Sequence, residues 1–221
     1  MKESIFARNS FQDLMKTFID SVLFTDESSF ECNVVINKQN DRIWHPIGRG
    51  RPPNANFQVK NFPKKVMVWA GFTSKFLIGP YFFDNPVNSS SYQEMINTCV
   101  VSALKSKRKY STVIFQQDGA TPHTAAETKD LLKHHFSENR VISRGFAFQW
   151  PGYSPDLTPA DFGLWPYIKS KVNIKNYSNV SELKVSIEEE FEKIEISFLQ
   201  NCVYSVLDRC ELCLNSNGGI F

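Results

Sequence analysis

Three aspartates are the residues of this chain whose positions best suit chemistry on a phosphate group. Asp26 and Asp118 each follow a short apolar run, residues 22–24 and 113–115, and Asp161 lies near a predicted helix start. Carboxylate oxygens suit hard cations such as Mg²⁺, which keep several waters and also accept phosphate oxygens as ligands. Two such ions roughly 3.5–4 Å apart can hold the attacking and leaving oxygens of a phosphodiester. This pattern indicates metal-dependent displacement at phosphorus.

The two apolar runs are predicted to be buried strands, the first ending at residues 25–29. The reactive crevice of an open α/β sheet lies at the carboxyl ends of its strands. If the two strands are parallel neighbours, Asp26 and Asp118 therefore face one crevice. Glu27 is not counted as a site residue, because consecutive side chains of an extended strand point to opposite faces.

The third acid is either Asp156 or Asp161, both within residues 154–161. Asp161 falls in the first turn of a predicted helix, where its side chain can project toward the sheet. The same residues also fit a structural interpretation. Thr158 with Asp161 three residues later resembles a capping box, with Pro159 at the first helical position. Each acid taken alone is better explained as a turn or capping residue, so the prediction depends on the joint pattern.

The remaining patterns predict an α/β fold in which helices flank a mixed sheet. Spacing of apolar residues predicts helices over 1–19, 91–107, 121–136, 180–194 and 197–214, with one more from residue 158. Strands are predicted over 65–72, 76–83, 112–115 and 141–142, with short extended pieces at 33–36 and 42–44. We predict a helical lead-in over 1–20, a catalytic core over 21–176 and a C-terminal helical segment over 177–221 that packs on the core.

The amino-acid composition does not by itself favour any function. A net charge of +2 over 221 residues makes no case for nucleic acid, so such a case must come from local patches. The longest apolar run covers about seven residues, 66–72, whereas a membrane span needs roughly 20. We therefore expect no association with a membrane.

Four sequence blocks resemble, in the same order, the catalytic domain of mariner-superfamily DDE transposases. They are residues 22–28 (VLFTDES), 68–71 (VWAG), 117–123 (QDGATPH) and 154–161 (SPDLTPAD). The resemblance implies an RNase H-like fold, dependence on Mg²⁺ or Mn²⁺, and cut-and-paste transposition of double-stranded DNA. It also implies a nuclear location and allows a homodimer.

Carried over residue by residue, the resemblance assigns the first family acid to Asp26, the second to Asp118 and the third to Asp161 rather than Asp156. Asp26 is then expected to bridge two ions, with the other two acids holding one each. An activated water would cut the strand, and the freed 3′-hydroxyl would attack target DNA. The segment before the third acid is longer than in the best-known mariner branch, which we interpret as a loop insertion at 143–149.

The N-terminal region of the sequence departs from the family pattern. The family carries a pair of helix-turn-helix modules that recognise transposon ends, and only about 20 residues precede the first predicted strand here. We therefore expect a catalytic domain without those modules, as in a truncated copy.

Several basic residues are candidate DNA contacts. Arg49 and Arg51 lie in a Gly-Arg-Pro string that resembles an AT-hook, whose arginines enter the minor groove. The alternative is an ordinary surface loop. Lys169 and Lys171 follow the third acid and could hold the DNA backbone, or else form a solvated helix face.

His123 lies five residues after Asp118, just inside a predicted helix. The resemblance places it near the active site, where it would contact DNA or steady the acid. A capping or packing histidine is an equal alternative. Trp165, four residues after Asp161, is predicted to pack rather than to stack on a base.

Two other functions remain open from the sequence. A catalytically inactive transposase remnant would act only as a DNA-binding or dimerisation module, with its acids as relics. An RNase H-type hydrolase would share the fold and the acids but act on RNA–DNA hybrids.

Overall fold

The computed structural model describes residues 2–32 and 64–219, which contain a five-stranded mixed sheet. The strands are β1 (Val22–Glu31), β2 (Lys65–Phe72), β3 (Leu77–Phe83), β4 (Ile114–Gln116) and β5 (Val141–Ile142). Their order across the sheet is β3-β2-β1-β4-β5. The pairs β1–β4 and β4–β5 are parallel, whereas β1–β2 and β2–β3 are antiparallel. The predicted parallel pairing of the two acid-bearing strands is confirmed.

Eight α-helices accompany the sheet in residues 2–32 and 64–219. They are α1 (Lys2–Ser21), α2 (Ser89–Met95), α3 (Val101–Ser106), α4 (Thr121–Thr124), α5 (Ala126–Phe136), α6 (Trp165–Val172), α7 (Val180–Glu192) and α8 (Ile196–Asn215). Two π-helical turns, Ile96–Val100 and Ala160–Leu164, lead into α3 and α6. Asn88 and Asn179 cap α2 and α7, each accepting a backbone hydrogen bond with its side chain.

Both faces of the sheet are buried under helices. Alternation along β1 places Val22 and Phe24 in a core shared with α6, α7 and α8, and Leu23 in a second core shared with α2, α3 and α5. The predicted α/β fold with a mixed sheet flanked by helices is confirmed. Because α7 and α8 contribute to the first core, the C-terminal segment is continuous with the packing of the sheet.

The first strand is longer than the sequence predicts. Its apolar run ends at Phe24, and the polar residues that follow were expected to end the strand. Instead β1 continues to Glu31, because its antiparallel pairing with β2 extends from Phe24 to Glu31. Its parallel pairing with β4 covers only Val22 to Phe24. Asp26 is therefore an interior residue of β1 that lies beyond the end of β4.

Two predicted helices are interrupted in the structure. The helix predicted over 121–136 divides into α4 and α5 at Ala125, whose ψ of 145° is not helical. The helix predicted over 91–107 contains the π-helical turn before α3. The extended pieces predicted at 33–36 and 42–44 lie outside the described residues.

None of the helices in 2–32 and 64–219 is long and apolar enough to cross a lipid bilayer.

Gly71 is a position where the sheet tolerates no larger residue. A Cβ there would lie 2.9 Å from the Trp69 ring and 3.1 Å from the Thr25 methyl group. Trp69 is fully buried, so its ring cannot move into solvent. We expect Gly71→Ala to lower the free energy of unfolding by about 1–3 kcal/mol through overpacking. Urea denaturation measures this, with Gly152→Ala as the control because its added Cβ would meet no atom within 4 Å. Equal losses in both variants would contradict the packing argument.

Candidate active site

The three predicted acids line one cleft of about 320 Å³. Asp26 comes from β1, Asp118 follows the end of β4, and Asp161 lies in the π-helical turn Ala160–Leu164 before α6. Residues far apart in the sequence are thus brought to one end of the sheet, as the joint pattern predicted.

The register of β1 on β4 explains why Asp26 and Asp118 lie at the same end of the sheet. The last parallel pair is Phe24 with Gln116. Asp26 lies two residues after Phe24, and Asp118 lies two residues after Gln116. Thr25 strengthens this junction, since its hydroxyl donates a 2.6 Å hydrogen bond to the Gln116 carbonyl. A period of two returns a side chain to the same face of a strand, so Asp26 follows Phe24.

Asp26 is partly buried and is held by an indole. Trp165 Nε1 donates a 2.7 Å hydrogen bond to Asp26 Oδ2. Burial raises the pKa of Asp26 well above its ordinary range, and the negative charges of Asp161 and Glu27 raise it further. The Trp165 hydrogen bond opposes this rise in pKa. Trp165 packs in the core, as predicted, but the bond to the acid was not foreseen.

Asp118 has a different environment. Its Oδ1 accepts hydrogen bonds from the Ala120 backbone at 3.0 Å and from His123 Nδ1 at 2.5 Å. Burial alone would raise the pKa of Asp118, but the hydrogen bond and charge of His123 outweigh it and the pKa is lowered. Asp118 is therefore ionised under conditions in which Asp26 resists ionisation.

His123 is buried, with 3% of its side chain exposed. Its Nε2 lies 3.4 Å from Glu27 Oε2, so both ring nitrogens face carboxylates. Burial alone would lower the pKa of His123, but the bonds to Asp118 and Glu27 raise it to about 10. The ring is thus cationic at neutral pH. These contacts favour the role of steadying the acid, and contact with DNA stays a prediction.

The structure distinguishes Asp161 from Asp156 as the candidate third acid. Asp161 lines the cleft, and its pKa is raised by partial burial and by the charge of Asp118. The Asp156 side chain is not among the residues that line the cleft, and its backbone carbonyl accepts from Arg209. No capping box forms, because the helical turn that begins at Ala160 has no side-chain cap hydrogen bond. The Thr158 hydroxyl instead accepts from Trp150 Nε1 and donates to the Ser154 carbonyl.

The predicted insertion at 143–149 is an ordered turn. The Ser143 backbone donates to Phe148 O at 2.9 Å, and the Phe146 side chain is buried. The chain then returns to the cleft, so the extra residues leave Asp161 in place. Arg144 lines the cleft beside Gly119.

Sequence reasoning missed several residues on the rim of the cleft. Arg144, Trp150 and Tyr153 line it together with the acids, and Tyr153 is fully exposed at a φ of 55°. A non-glycine residue at positive φ is uncommon. Only proximity in the fold identifies these three, because nothing in their spacing marks them.

The candidate DNA contacts fall in different places. Arg49 and Arg51 lie outside the described residues. Lys169 lies near Asp161, whose pKa its charge lowers, and its Nζ is 5.6 Å from the centre of the Phe30 ring. Lys171 is exposed, with its Nζ 5.7 Å from the centre of the Tyr167 ring. Their binding roles stay predictions.

The donor set fits hard divalent cations, although the acids do not converge as they stand. In the two described ranges, no three His, Cys, Asp or Glu side chains are close enough together to hold a metal ion. All three acids nevertheless offer oxygen ligands to one cleft, and charge repulsion raises the pKa of Asp26 and Asp161. A cation would relieve that repulsion, and waters and phosphate supply the remaining ligands that Mg²⁺ requires.

Comparison with known proteins places the chain in a family. A family model described as DDE superfamily endonuclease matches residues 21–184. The Tc3 transposase of Caenorhabditis elegans is 30% identical over 223 residues, covering 99% of this chain and 61% of the relative. The Mos1 mariner transposase of Drosophila mauritiana is 25% identical over 182 residues, covering 78% of this chain and 49% of the relative.

Solved structures show the same fold. A Mos1 transposase paired-end complex with the left transposon end superimposes with a TM-score of 0.75 at 23% identity, covering 99% of this chain and 60% of that one. The Mos1 catalytic domain superimposes with a TM-score of 0.68 at 22% identity, covering 99% and 91%. Other Mos1 complexes are described with Mn or with Mg.

The fold and the cleft define an RNase H-like domain of the DDE type, which confirms the predicted fold class. The chain belongs to the DDE superfamily endonucleases, and its similar proteins include the Tc1 and mariner transposases. It spans about three fifths of the length of the Tc3 transposase.

The electrostatic cost at Asp26 generates a stability prediction for the metal-free protein. Because the pKa of Asp26 is raised in the folded state, the folded chain binds more protons than the unfolded chain above the ordinary carboxyl range. The free energy of unfolding therefore falls as the pH rises from the ordinary carboxyl pKa to the raised pKa of Asp26. Asp26→Asn removes this loss of stability because the amide does not ionise. The Oδ1 of the new asparagine side chain can still accept the hydrogen bond from Trp165.

In EDTA at about pH 8 we expect Asp26→Asn to be more stable than the parent chain by about 1 kcal/mol or more, since one pKa unit corresponds to about 1.4 kcal/mol. The difference should vanish toward about pH 4. Urea denaturation at both pH values measures it, with Asp156→Asn as the matched control. An Asp26→Asn variant less stable than the parent chain at the higher pH would contradict the assignment.

Proposed function

We propose that this chain is the catalytic domain of a DNA transposase that cleaves a DNA strand and joins the new end to target DNA. The observation that carries the proposal is that Asp26, Asp118 and Asp161 all line one cleft. It is supported by family membership and by the similarity to transposases. The Mos1 structures that resemble this chain include a strand transfer complex.

We assign Asp26, Asp118 and Asp161 as the ligands of two Mg²⁺ or Mn²⁺ ions. When bound, such ions polarise the phosphodiester and activate the attacking oxygen. The chain's own part is to hold the carboxylates: Trp165 fixes Asp26 and His123 fixes Asp118. In hydrolysis, water attacks phosphorus and the bond to the 3′-oxygen breaks, leaving a 3′-hydroxyl. In strand transfer that hydroxyl attacks a target phosphodiester and the target's 3′-oxygen leaves.

Double-stranded DNA is the proposed substrate, and Arg144 is our candidate for contacting its backbone at the cleft. The guanidinium is always charged and matches phosphate geometry, and Arg144 is exposed at the cleft lining. Lys169 offers a second positive charge on the Asp161 side. A homodimer and a nuclear location remain predictions that follow from transposition of chromosomal DNA.

Nicking of supercoiled plasmid in Mn²⁺ tests the assignment. We expect Asp26→Asn, Asp118→Asn and Asp161→Asn each to lower the nicking rate by about 100-fold or more, because each removes a ligand charge that supports transition-state stabilisation worth several kcal/mol. Asp156→Asn is the matched control, since its side chain lies outside the cleft, and it should retain activity. Circular dichroism establishes that every variant is folded.

The other outcomes distinguish the remaining functions. A folded parent chain that binds plasmid in a salt-sensitive way without nicking it would favour the catalytically inactive remnant. Cleavage confined to RNA–DNA hybrids would favour the RNase H-type hydrolase. Loss of nicking in Asp156→Asn with retention in Asp161→Asn would move the third ligand.

A further inference from the structure

Glu27 has a place in the structure that its position in the sequence does not reveal. It follows Asp26 on β1 and projects to the opposite face, as strand alternation requires. Only 15% of its side chain is exposed. Its Oε2 lies 3.4 Å from His123 Nε2, and its Oε1 is buried with no hydrogen-bond partner in the described part of the chain. A buried carboxylate is costly unless it is paired, and the partner of Glu27 in the described residues is the His123 ring.

His123 connects Glu27 to Asp118 and has little freedom to turn. Its ring lies against Tyr92, with centroids 4.2 Å apart and an interplanar angle of 34°. Its backbone carbonyl accepts a 3.0 Å hydrogen bond from Gln117 Nε2, and Gln117 Oε1 accepts from the Tyr92 hydroxyl. The ring is thus held by an aromatic face, by two carboxylates and through its own backbone.

The contacts of Asp118 show what this arrangement achieves. Its Oδ1 accepts from both His123 and the Ala120 backbone, while its Oδ2 accepts no hydrogen bond from the described residues. Half of the side chain is exposed, and it lines the cleft. One oxygen is therefore fixed by the protein and the other is left for a ligand. Asp26 has the same pattern, with Trp165 on Oδ2.

We propose that Glu27 and His123 are positioning residues, in which Glu27 orients the His123 ring and the ring fixes Asp118 for binding a divalent cation. This inference rests on the proposed function, because it concerns the same acids. Partners that orient a metal ligand without touching the metal commonly contribute 10- to 100-fold to affinity. The pair lies on the side of β1 opposite Asp26, so it acts on the ion only through Asp118.

Binding of Mn²⁺, measured by electron paramagnetic resonance of the free ion, tests the proposal without relying on catalysis. For the whole chain without DNA, we expect His123→Ala to raise the dissociation constant by about 10- to 100-fold. His123→Asn should bind more tightly than His123→Ala, because its side-chain amide can replace Nδ1 as the donor to Asp118. We expect Glu27→Gln to raise the constant by about 10-fold.

The double variant separates positioning from a general loss of stability. Because Glu27 acts through His123, adding Glu27→Gln to His123→Ala should weaken binding no further, and the two effects should be strongly non-additive. His135→Ala is the matched control, since His135 bonds to Tyr110 and Asn97 and does not line the cleft. It should bind Mn²⁺ as the parent chain does.

The results distinguish this proposal from the proposed function. If the parent chain binds Mn²⁺ and nicks DNA, while His123→Ala and Glu27→Gln bind the ion as tightly, the positioning role is wrong and the catalytic assignment stands. Additive effects of the two substitutions would also overturn the link through His123. If the folded parent chain neither binds Mn²⁺ nor nicks DNA, the proposed function fails and the positioning role fails with it.

Discussion

The parallel pairing of β1 with β4 is the contact on which the candidate site depends. Only three residue pairs form it, from Val22–Ile114 to Phe24–Gln116, yet it aligns two segments about 90 positions apart in the sequence. β1 continues past the last pair while β4 ends there, and Asp26 and Asp118 each follow two residues later at the edge of the cleft. A slip of β1 by one residue in this register would turn Asp26 to the opposite face of the sheet. The buried cores on both sides of the sheet resist such a slip.

The charges of the cleft oppose the stability that the cores provide. The charge of Asp161 raises the pKa of Asp26, and the charge of Asp118 raises the pKa of Asp161, so the carboxylates of the cleft are under electrostatic strain. Two neutralising devices limit that strain. The Trp165 indole donates to Asp26, and the cationic His123 lies between Asp118 and Glu27. Such unfavourable pairs concentrate at functional sites, where a ligand relieves them.

Most elements of this fold are predictable from local patterns. Apolar spacing gave β2, β3, β5, α7 and α8 nearly at their observed bounds, because their buried faces are regular. The end of β1 was not predictable, since pairing with a distant strand overrides its polar sequence. The interruption at Ala125 and the π-helical turn before α6 were not predictable either, because apolar spacing does not distinguish them from a continuous α-helix.

The three acids of the candidate site were predictable from the sequence, and the residues that hold them in place were less so. Asp26, Asp118 and Asp161 stand in recognisable blocks, and all three line the cleft. Glu27 was set aside because it points away from Asp26, which is correct, but alternation along one strand cannot show that His123 reaches it. Arg144 lies in the segment 143–149 that we interpreted as an insertion, and it reaches the cleft because that segment folds back on itself through the Ser143–Phe148 backbone hydrogen bond.

Anomalous diffraction from crystals of this chain grown with Mn²⁺ and recorded near the manganese absorption edge would test the central claim most directly. The account predicts anomalous peaks in the cleft within coordination distance of the carboxylates of Asp26, Asp118 and Asp161, with none at Asp156. If the cleft residues are all well resolved at saturating Mn²⁺ and no such peak is present, or if other residues hold the peaks, the assignment of these three acids is contradicted.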